Sequence, residues 1–142
     1  MIRHVWTVLC SRALIDRDSN NMSIHNVLEQ LNIVAQPQPD LALNLHFEII
    51  SLWVRERADT PAHGLSRVTL IDPGGATTPV SELKIDLSST ERVRHRVLSQ
   101  GLPVGMAGRY EFLVELQEDG RSDWREVALV PLTVVFTAPK GD

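Results

Sequence analysis

The chain has 142 residues, of which 43% are hydrophobic and 23% are charged, and its formal net charge is −4. This length predicts one domain over residues 1–142, and the negative charge excludes a global basic field that attracts nucleic acid or anionic lipid. The sequence contains one cysteine, Cys10, which excludes an intramolecular disulfide framework and is typical of a reducing compartment.

The N-terminal residues do not have the pattern of an export signal. Arg3, His4 and Thr7 interrupt the apolar run before it reaches the roughly 7–15 residues of a signal peptide. No stretch approaches the ~20 apolar residues that a membrane-spanning helix needs. We therefore expect a cytoplasmic protein that does not bind membranes.

Short apolar segments separated by Gly, Pro, Asn and Asp clusters predict an all-β fold, an antiparallel β-sandwich. The predicted strands are Arg3–Cys10, Leu45–Arg55, Ser66–Ile71, Val80–Leu87, Arg109–Gln117 and Trp124–Phe136. Two segments are ambiguous: Ser23–Val34 fits helical spacing, and Ser88–Gln100 begins like a capping box, although strands are favoured for both. Pro131 indicates a bulge or an edge position in the last strand, because proline cannot donate a ladder hydrogen bond.

The second predicted strand contains a run, residues 49–54, that is apolar on both faces. A half-solvated sheet of a monomer does not need this much apolar surface, so we predict an interface at Ile50, Leu52, Trp53 and Val54. A homodimer is the default partner arrangement, since twofold dimers are the commonest closed assembly. The alternative is that a loop such as Gln36–Asp40 folds over this face.

Three arginines, Arg92, Arg94 and Arg96, alternate along one predicted strand and would form a basic stripe. Such a stripe could contact phosphates. However, no aromatic residues are interleaved for base stacking, and the whole chain is acidic. Nucleic-acid binding is therefore the weaker expectation, and a solvated strand face paired with carboxylates is the stronger one.

The sequence contains no local metal or catalytic signature. Asp16–Asn20 begins like a calcium loop, but Asn21 and Val27 stand where that loop needs glycine and glutamate, so a polar turn is favoured. His4, His25 and His46 could meet only if strands gathered them. Cys10 lies in an apolar strand, as a core cysteine does. We expect no catalytic residue, no metal and no cofactor.

The segment Gly108–Phe112 carries a Gly-x-Tyr-x-Phe pattern formed by Gly108, Tyr110 and Phe112. This pattern resembles the late strands of immunoglobulin-like sandwiches. The resemblance implies that the tyrosine packs at a corner of the fold with its hydroxyl on a backbone group.

The whole chain also resembles a family of small, functionally uncharacterised bacterial and phage β-sandwich proteins. The features that carry the resemblance are an opening strand that ends in cysteine, a polar turn, a Ser-hydrophobic-x-Asn-hydrophobic segment and the Gly-x-Tyr-x-Phe strand. In this sequence they are Val5–Cys10, Asp16–Asn21, Ser23–Val27 and Gly108–Phe112. The resemblance implies a β-sandwich and no particular activity.

These observations favour a non-enzymatic structural or protein-interaction module. Two alternatives stay open: a small-ligand or metal-binding sandwich that uses histidines from several strands, and a weak nucleic-acid binder that uses the arginine stripe.

Overall fold

The computed structural model describes residues 1–139, and all its regular elements in that range are β-strands. The strands are β1 (Ile2–Ile15), β2 (Met22–Val27), β3 (Gln30–Val34), β4 (Ala42–Arg55), β5 (Ala62–Ile71), β6 (Thr77–Leu87), β7 (Arg92–Pro103), β8 (Gly108–Glu118) and β9 (Arg125–Thr137). The predicted all-β class is confirmed. Within residues 1–139, no helix has the length and apolar character needed to cross a membrane.

The strands form two sheets. The four-stranded sheet has the order β2-β1-β4-β7, and the five-stranded sheet has the order β3-β9-β8-β5-β6. Neighbouring strands are antiparallel except for β3 and β9, which run parallel. The period-two pattern of β8 explains its central place, since Tyr110, Phe112, Val114 and Leu116 are all buried on one face.

The side chains between the two sheets form the main core. Leu9, Ile49 and Trp53 enter it from the four-stranded sheet, and Tyr110 and Phe112 enter it from the five-stranded sheet. The rings of Phe47 and Phe112 meet edge to face across the sheets, with centroids 6.1 Å apart.

The segment Ser23–Val34 is not one element. It contains β2, which pairs with β1 in one sheet, and β3, which pairs with β9 in the other. The chain changes sheets at Leu28, whose side chain is buried in the main core and whose amide donates to the Leu9 carbonyl oxygen at 2.9 Å. The second ambiguous segment, Ser88–Gln100, contains most of β7, which extends to Pro103 and begins only at Arg92.

Pro131 occupies an edge position within β9. The amide of Thr133 points towards β3, where it donates to the Glu29 carbonyl oxygen at 3.0 Å. Because Pro131 lies two residues earlier in the strand, its nitrogen faces the same side of β9 as the Thr133 amide. The pairing of β3 with β9 begins only at Gln30, opposite Thr133, so the nitrogen of Pro131 lies outside the paired region. The irregularity in the β8–β9 pairing lies elsewhere, between Val114 and Glu115.

Candidate binding cleft

The first hairpin, residues 10–27, crosses the outer face of the four-stranded sheet. Its two halves pair from Cys10 opposite Val27 to Ile15 opposite Met22. At its tip the Asn20 carbonyl oxygen accepts a hydrogen bond from Arg94 on β7. Because β4 lies between β1 and β7, this contact requires the hairpin to pass over β4.

The tip itself is a turn built around one carboxylate. Oδ1 of Asp16 accepts hydrogen bonds from the amides of Asp18 and Ser19 at 2.8 and 2.9 Å. Both bonds, and most strongly the one from Ser19, hold the pKa of Asp16 below its usual value. Asn20 adopts a positive φ of 59°, which asparagine tolerates. The residues that begin like a calcium loop therefore form a polar turn, as the sequence predicts.

An ion pair between a buried carboxylate and a partly exposed arginine fastens the hairpin to the sheet. Glu48 on β4 is only 4% exposed, and its Oε1 accepts a 2.8 Å hydrogen bond from Nε of Arg96. Both side chains also hold the peptide groups of Ala13: its amide donates to Glu48 Oε2 at 2.8 Å, and its carbonyl oxygen accepts from Arg96 Nη2 at 3.1 Å. The pair thus satisfies two backbone groups that β4 does not pair.

A second, smaller group of buried side chains lies between the hairpin and the sheet. It consists of Cys10 and Ala13 from the hairpin and Ile50 from β4, and we call it the outer cluster. Burial, followed by the nearby charge of Glu48, raises the pKa of the Cys10 thiol. Since the thiolate is the reactive form, this environment keeps Cys10 unreactive. The cysteine is a packing residue here, as the sequence predicted.

A cleft of about 680 Å³ lies between the hairpin tip and the sheet. Its apolar lining is Trp6, Met22, Ile24 and Leu52, and the first three of these pack against the outer cluster. Its polar lining comes from the tip and from the start of β7, and consists of Ser19, Asn20, Asn21, Thr90, Glu91, Arg92 and Arg94. The cleft therefore combines an apolar surface with two guanidinium groups.

The predicted interface residues do not share one surface. Trp53 is fully buried in the main core, because alternation along β4 turns it to the opposite face from Ile50, Leu52 and Val54. Ile50 is fully buried beneath the hairpin. Both residues are therefore inaccessible in the chain as it stands, whereas Leu52 and Val54 are half-buried and Leu52 lines the cleft.

The cover over β4 is the hairpin and not the loop Gln36–Asp40. That loop packs against the connection between β7 and β8. Directly after the loop, the carbonyl oxygen of Leu41 accepts a 2.9 Å hydrogen bond from the amide of Val104. A Cβ atom added to Gly105 would lie 2.7 Å from the Pro39 carbonyl oxygen, so the approach there requires glycine.

The three stripe arginines share one face of β7, as alternation predicts, but they have different roles. Arg96 is paired with Glu48, and Arg94 bonds to the hairpin tip. Arg92 is exposed at the mouth of the cleft. A continuous solvated stripe is therefore not formed, and two of the three guanidinium groups hold the hairpin.

The histidines named as possible metal ligands are not gathered into a site. Within residues 1–139, no group of three or more His, Cys, Asp or Glu side chains is arranged to hold a metal ion. His4 instead packs edge-on against Trp53, with ring centroids 5.1 Å apart, and its Nε2 lies 2.7 Å from the Thr7 hydroxyl.

The residues of the Gly-x-Tyr-x-Phe pattern, Gly108, Tyr110 and Phe112, lie at the start of β8. Tyr110 is 1% exposed, and its hydroxyl donates to the Met106 carbonyl oxygen at 2.8 Å. Phe112 is buried beside it in the main core. Gly108 has a φ of 131°, and a Cβ there would lie 3.0 Å from the Pro73 ring. Glycine is needed at this position for both reasons.

Comparisons with known proteins add little to this description. No protein-family model and no curated protein matches the chain. Among solved structures, the N-terminal domain of PorA is 12% identical with a TM-score of 0.35, over 95% of this chain and 100% of that chain. A family 123 glycoside hydrolase from Clostridium perfringens is 11% identical with a TM-score of 0.35, over 78% of this chain and 23% of that chain. At such low values neither likeness carries an argument about function.

Sequence reasoning did not find the hairpin cleft, although one signal for it was present. Glu48 lies next to a run that is apolar on both faces, and a carboxylate in a buried strand needs a cationic partner. The alternating arginines of β7 supply that partner. Reading the two features together would have placed β7 beside β4.

Proposed function

We propose that the chain is a non-enzymatic protein-interaction module whose partner binds in the hairpin cleft. The observation that carries this proposal is the incomplete cover of the outer face of β4. Trp6, Met22, Ile24 and Leu52 are half-buried in an open cleft instead of being enclosed. Apolar side chains surrounded by polar groups are the usual composition of the centre and rim of a protein interface.

We further propose that the two sheets form an immunoglobulin-like β-sandwich. In support, β1-β4-β7 corresponds to the A-B-E order of that fold, and β9-β8-β5-β6 corresponds to G-F-C-C′. Tyr110 stands near the start of β8, the counterpart of strand F, where the tyrosine corner belongs. The hairpin is an addition to this plan. Membership of the small bacterial and phage family, and a cytoplasmic location, are part of the same proposal.

A steric plug at the tip tests the interaction site without disturbing the core. Asn21 is exposed and lines the cleft, so Asn21→Trp fills the cleft at little cost in folding. Asp18→Trp is the matched control, because Asp18 is exposed on the same turn but lies outside the lining. Each protein is used as bait in lysate of the source cell, and retained proteins are quantified by mass spectrometry.

We expect a protein retained by the wild type and by Asp18→Trp to be lost from Asn21→Trp. Equal retention by all three baits, or no protein retained by the wild type, would overturn the proposal. Sedimentation velocity at micromolar concentration identifies the case in which the partner is a second copy. A dimer that Asn21→Trp dissociates supports a homodimer through the cleft, and a dimer insensitive to the plug contradicts it.

The other two candidate functions have less support from the geometry. A nucleic-acid surface needs several cations free to meet phosphates and aromatic side chains for base stacking, whereas Arg96 is paired with Glu48 and no aromatic residues are interleaved along the stripe. A small-ligand site in the same cleft differs from a protein site only in the size of the occupant. The plug variant would block either occupant, whereas the capture experiment detects only a protein.

A further inference from the structure

Two arginines of the cleft lack a carboxylate partner. Within residues 1–139, three arginines form ion pairs, namely Arg67 with Glu115, Arg96 with Glu48 and Arg109 with Glu111. Arg92 and Arg94 have no carboxylate oxygen within 4 Å in that part of the chain. Arg94 bonds only to the Asn20 carbonyl oxygen through Nη2.

The second guanidinium nitrogen of Arg94 is buried without a hydrogen-bond acceptor in the described chain. Burying an unsatisfied charged donor is unfavourable, and such groups in native proteins usually meet a water or an ion. A carboxylate has two acceptor oxygens and the charge that complements a guanidinium fork. Because Nη1 is not exposed to the cleft, an acidic ligand would be attracted by the charge of Arg94 and would reach this nitrogen only if the side chain moved.

The spacing of the two arginines favours an extended ligand. Arg92 and Arg94 stand two residues apart on one face of β7, which separates them by roughly 6.6 Å along the strand. Side chains on one face of any extended segment repeat at the same distance. Acidic residues at positions i and i+2 of such a segment therefore match both arginines. The carboxylate that ends a chain could satisfy only one of them.

The apolar lining lies directly beside this pair. Leu52 on β4 stands opposite Arg94, and Trp6 on β1 stands opposite Leu52. Glu91 also lines the cleft and is exposed, so it disfavours a third acidic residue beyond Arg92. An apolar side chain of the ligand would have to contact Leu52 and Trp6.

From this juxtaposition we infer that the hairpin cleft binds an extended, acidic segment of a protein partner. The segment carries acidic residues at alternate positions, opposite Arg92 and Arg94, and an apolar side chain against Trp6 and Leu52. This inference rests on the proposed function and names the chemistry of the partner that the cleft recognises.

Blocked hexapeptides test the inference directly. The probe is acetyl-Leu-Ser-Glu-Ser-Glu-Ser-amide, which has alternating glutamates. One control replaces both glutamates with glutamine. The other, acetyl-Leu-Ser-Ser-Glu-Glu-Ser-amide, keeps the charge but makes the glutamates adjacent. Binding to the full chain is measured by calorimetry at low and high salt, since attraction between charges weakens with ionic strength.

We expect the alternating peptide to bind at least about tenfold more tightly than either control, and to weaken with salt. Equal affinity of the two glutamate peptides would overturn the spacing argument. A further control is the glutamine peptide with a free C-terminal carboxylate, and binding of that peptide more tightly than the alternating peptide would overturn the choice of side-chain carboxylates.

Variants assign the binding to the cleft. Arg92→Gln and Arg94→Gln each lose affinity for the alternating peptide, because each removes one of the two positive charges that attract it. Arg57→Gln, an exposed loop arginine outside the lining, is the matched control and keeps wild-type affinity. Equal affinities in all three variants would overturn the site.

The two proposals can fail separately. If Asn21→Trp abolishes capture of the cellular partner but the alternating peptide does not bind, the cleft is an interface with another chemistry. If the peptide binds but the plug leaves capture unchanged, the acidic site exists and the proposed interface is elsewhere.

Discussion

At the residue scale, Tyr110 joins the main core to the connection that precedes β8. Its hydroxyl donates to the Met106 carbonyl oxygen at 2.8 Å, while its ring is buried between the sheets. Burial also raises the pKa of the phenol, so the hydroxyl stays a donor at neutral pH. We expect Tyr110→Ala to lower the free energy of unfolding by about 3–5 kcal/mol.

Urea denaturation measures this change, and Tyr110→Phe separates the hydroxyl from the ring. The phenylalanine variant keeps the packing and loses one hydrogen bond, so it should lose only about 1 kcal/mol. If Tyr110→Ala unfolds near the wild-type midpoint, the ring does not support the core.

Two histidines beside Trp53 make the stability depend on pH. Burial holds the pKa of His4 and His95 below the ordinary value of 6.5. The unfolded chain therefore binds more protons than the folded chain in the window below pH 6.5, so stability rises with pH there. The contribution is complete above pH 6.5 and is lost as the pH falls towards the lowered folded values.

Urea midpoints at pH 7.5 and pH 5.0 measure this dependence. His95→Gln should reduce the loss of stability between the two pH values, whereas His25→Gln should not, because His25 is exposed on β2. A wild-type midpoint that stays constant or rises on acidification would contradict the assignment.

At the element scale, the hairpin depends on Glu48 and Arg96. Replacing Arg96 with methionine leaves a buried carboxylate without its cation, a change that typically costs about 3–5 kcal/mol. The side chain of Arg96 is itself 33% exposed. We therefore expect Arg96→Met to lower the free energy of unfolding by about 3 kcal/mol, at the lower end of this range.

Two further variants control this result in the same urea experiment. Arg92→Met removes an exposed arginine of the same strand face and should change stability by less than about 0.5 kcal/mol. Adding Glu48→Gln to Arg96→Met removes the buried charge and should restore part of the loss. Equal, small effects of Arg92→Met and Arg96→Met would mean that the pair does not hold the hairpin.

The elements that the sequence predicted well are those whose environment is local. In β8 the alternation from Tyr110 to Leu116 records one buried and one partly solvated face, which the structure confirms. The segment from Ser23 to Val34 could not be resolved in this way. Its second half pairs in parallel with β9, about a hundred residues away in sequence, and no local pattern encodes that partner.

The cleft was beyond sequence reasoning for the same reason. The apolar run of β4 correctly indicated burial on both faces, and Ile50 and Trp53 are buried on opposite faces. What covers the outer face depends on the path of the hairpin across β4. That path is set by hydrogen bonds from β7 to Ala13 and Asn20, which are contacts between residues distant in sequence.

At the scale of the whole molecule, the strand content itself is testable. All regular elements in residues 1–139 are strands, so far-UV circular dichroism should give a β-dominated spectrum. A helical content near the globular average of about a third would contradict the fold.

The described residues therefore place apolar side chains of β4 in both the main core and the outer cluster, and the hairpin cleft lies open beside the outer cluster. A partner that binds only the folded chain should also stabilise it, by an amount that grows with the logarithm of its concentration divided by its dissociation constant. At equal concentration the effect is expected to be larger for the alternating acidic peptide than for the glutamine control peptide.

The most direct test of the binding cleft is an amide and indole NMR titration of the full chain with the alternating acidic peptide. The chain has three tryptophans, of which Trp6 lines the cleft, Trp53 is buried in the main core and Trp124 packs under Arg67 on the other sheet. We predict that the indole signal of Trp6 and the amides of residues 19–22 and 90–94 shift, while the indole signals of Trp53 and Trp124 stay in place. Shifts centred on Trp124, or no shifts at saturating peptide, would contradict the account.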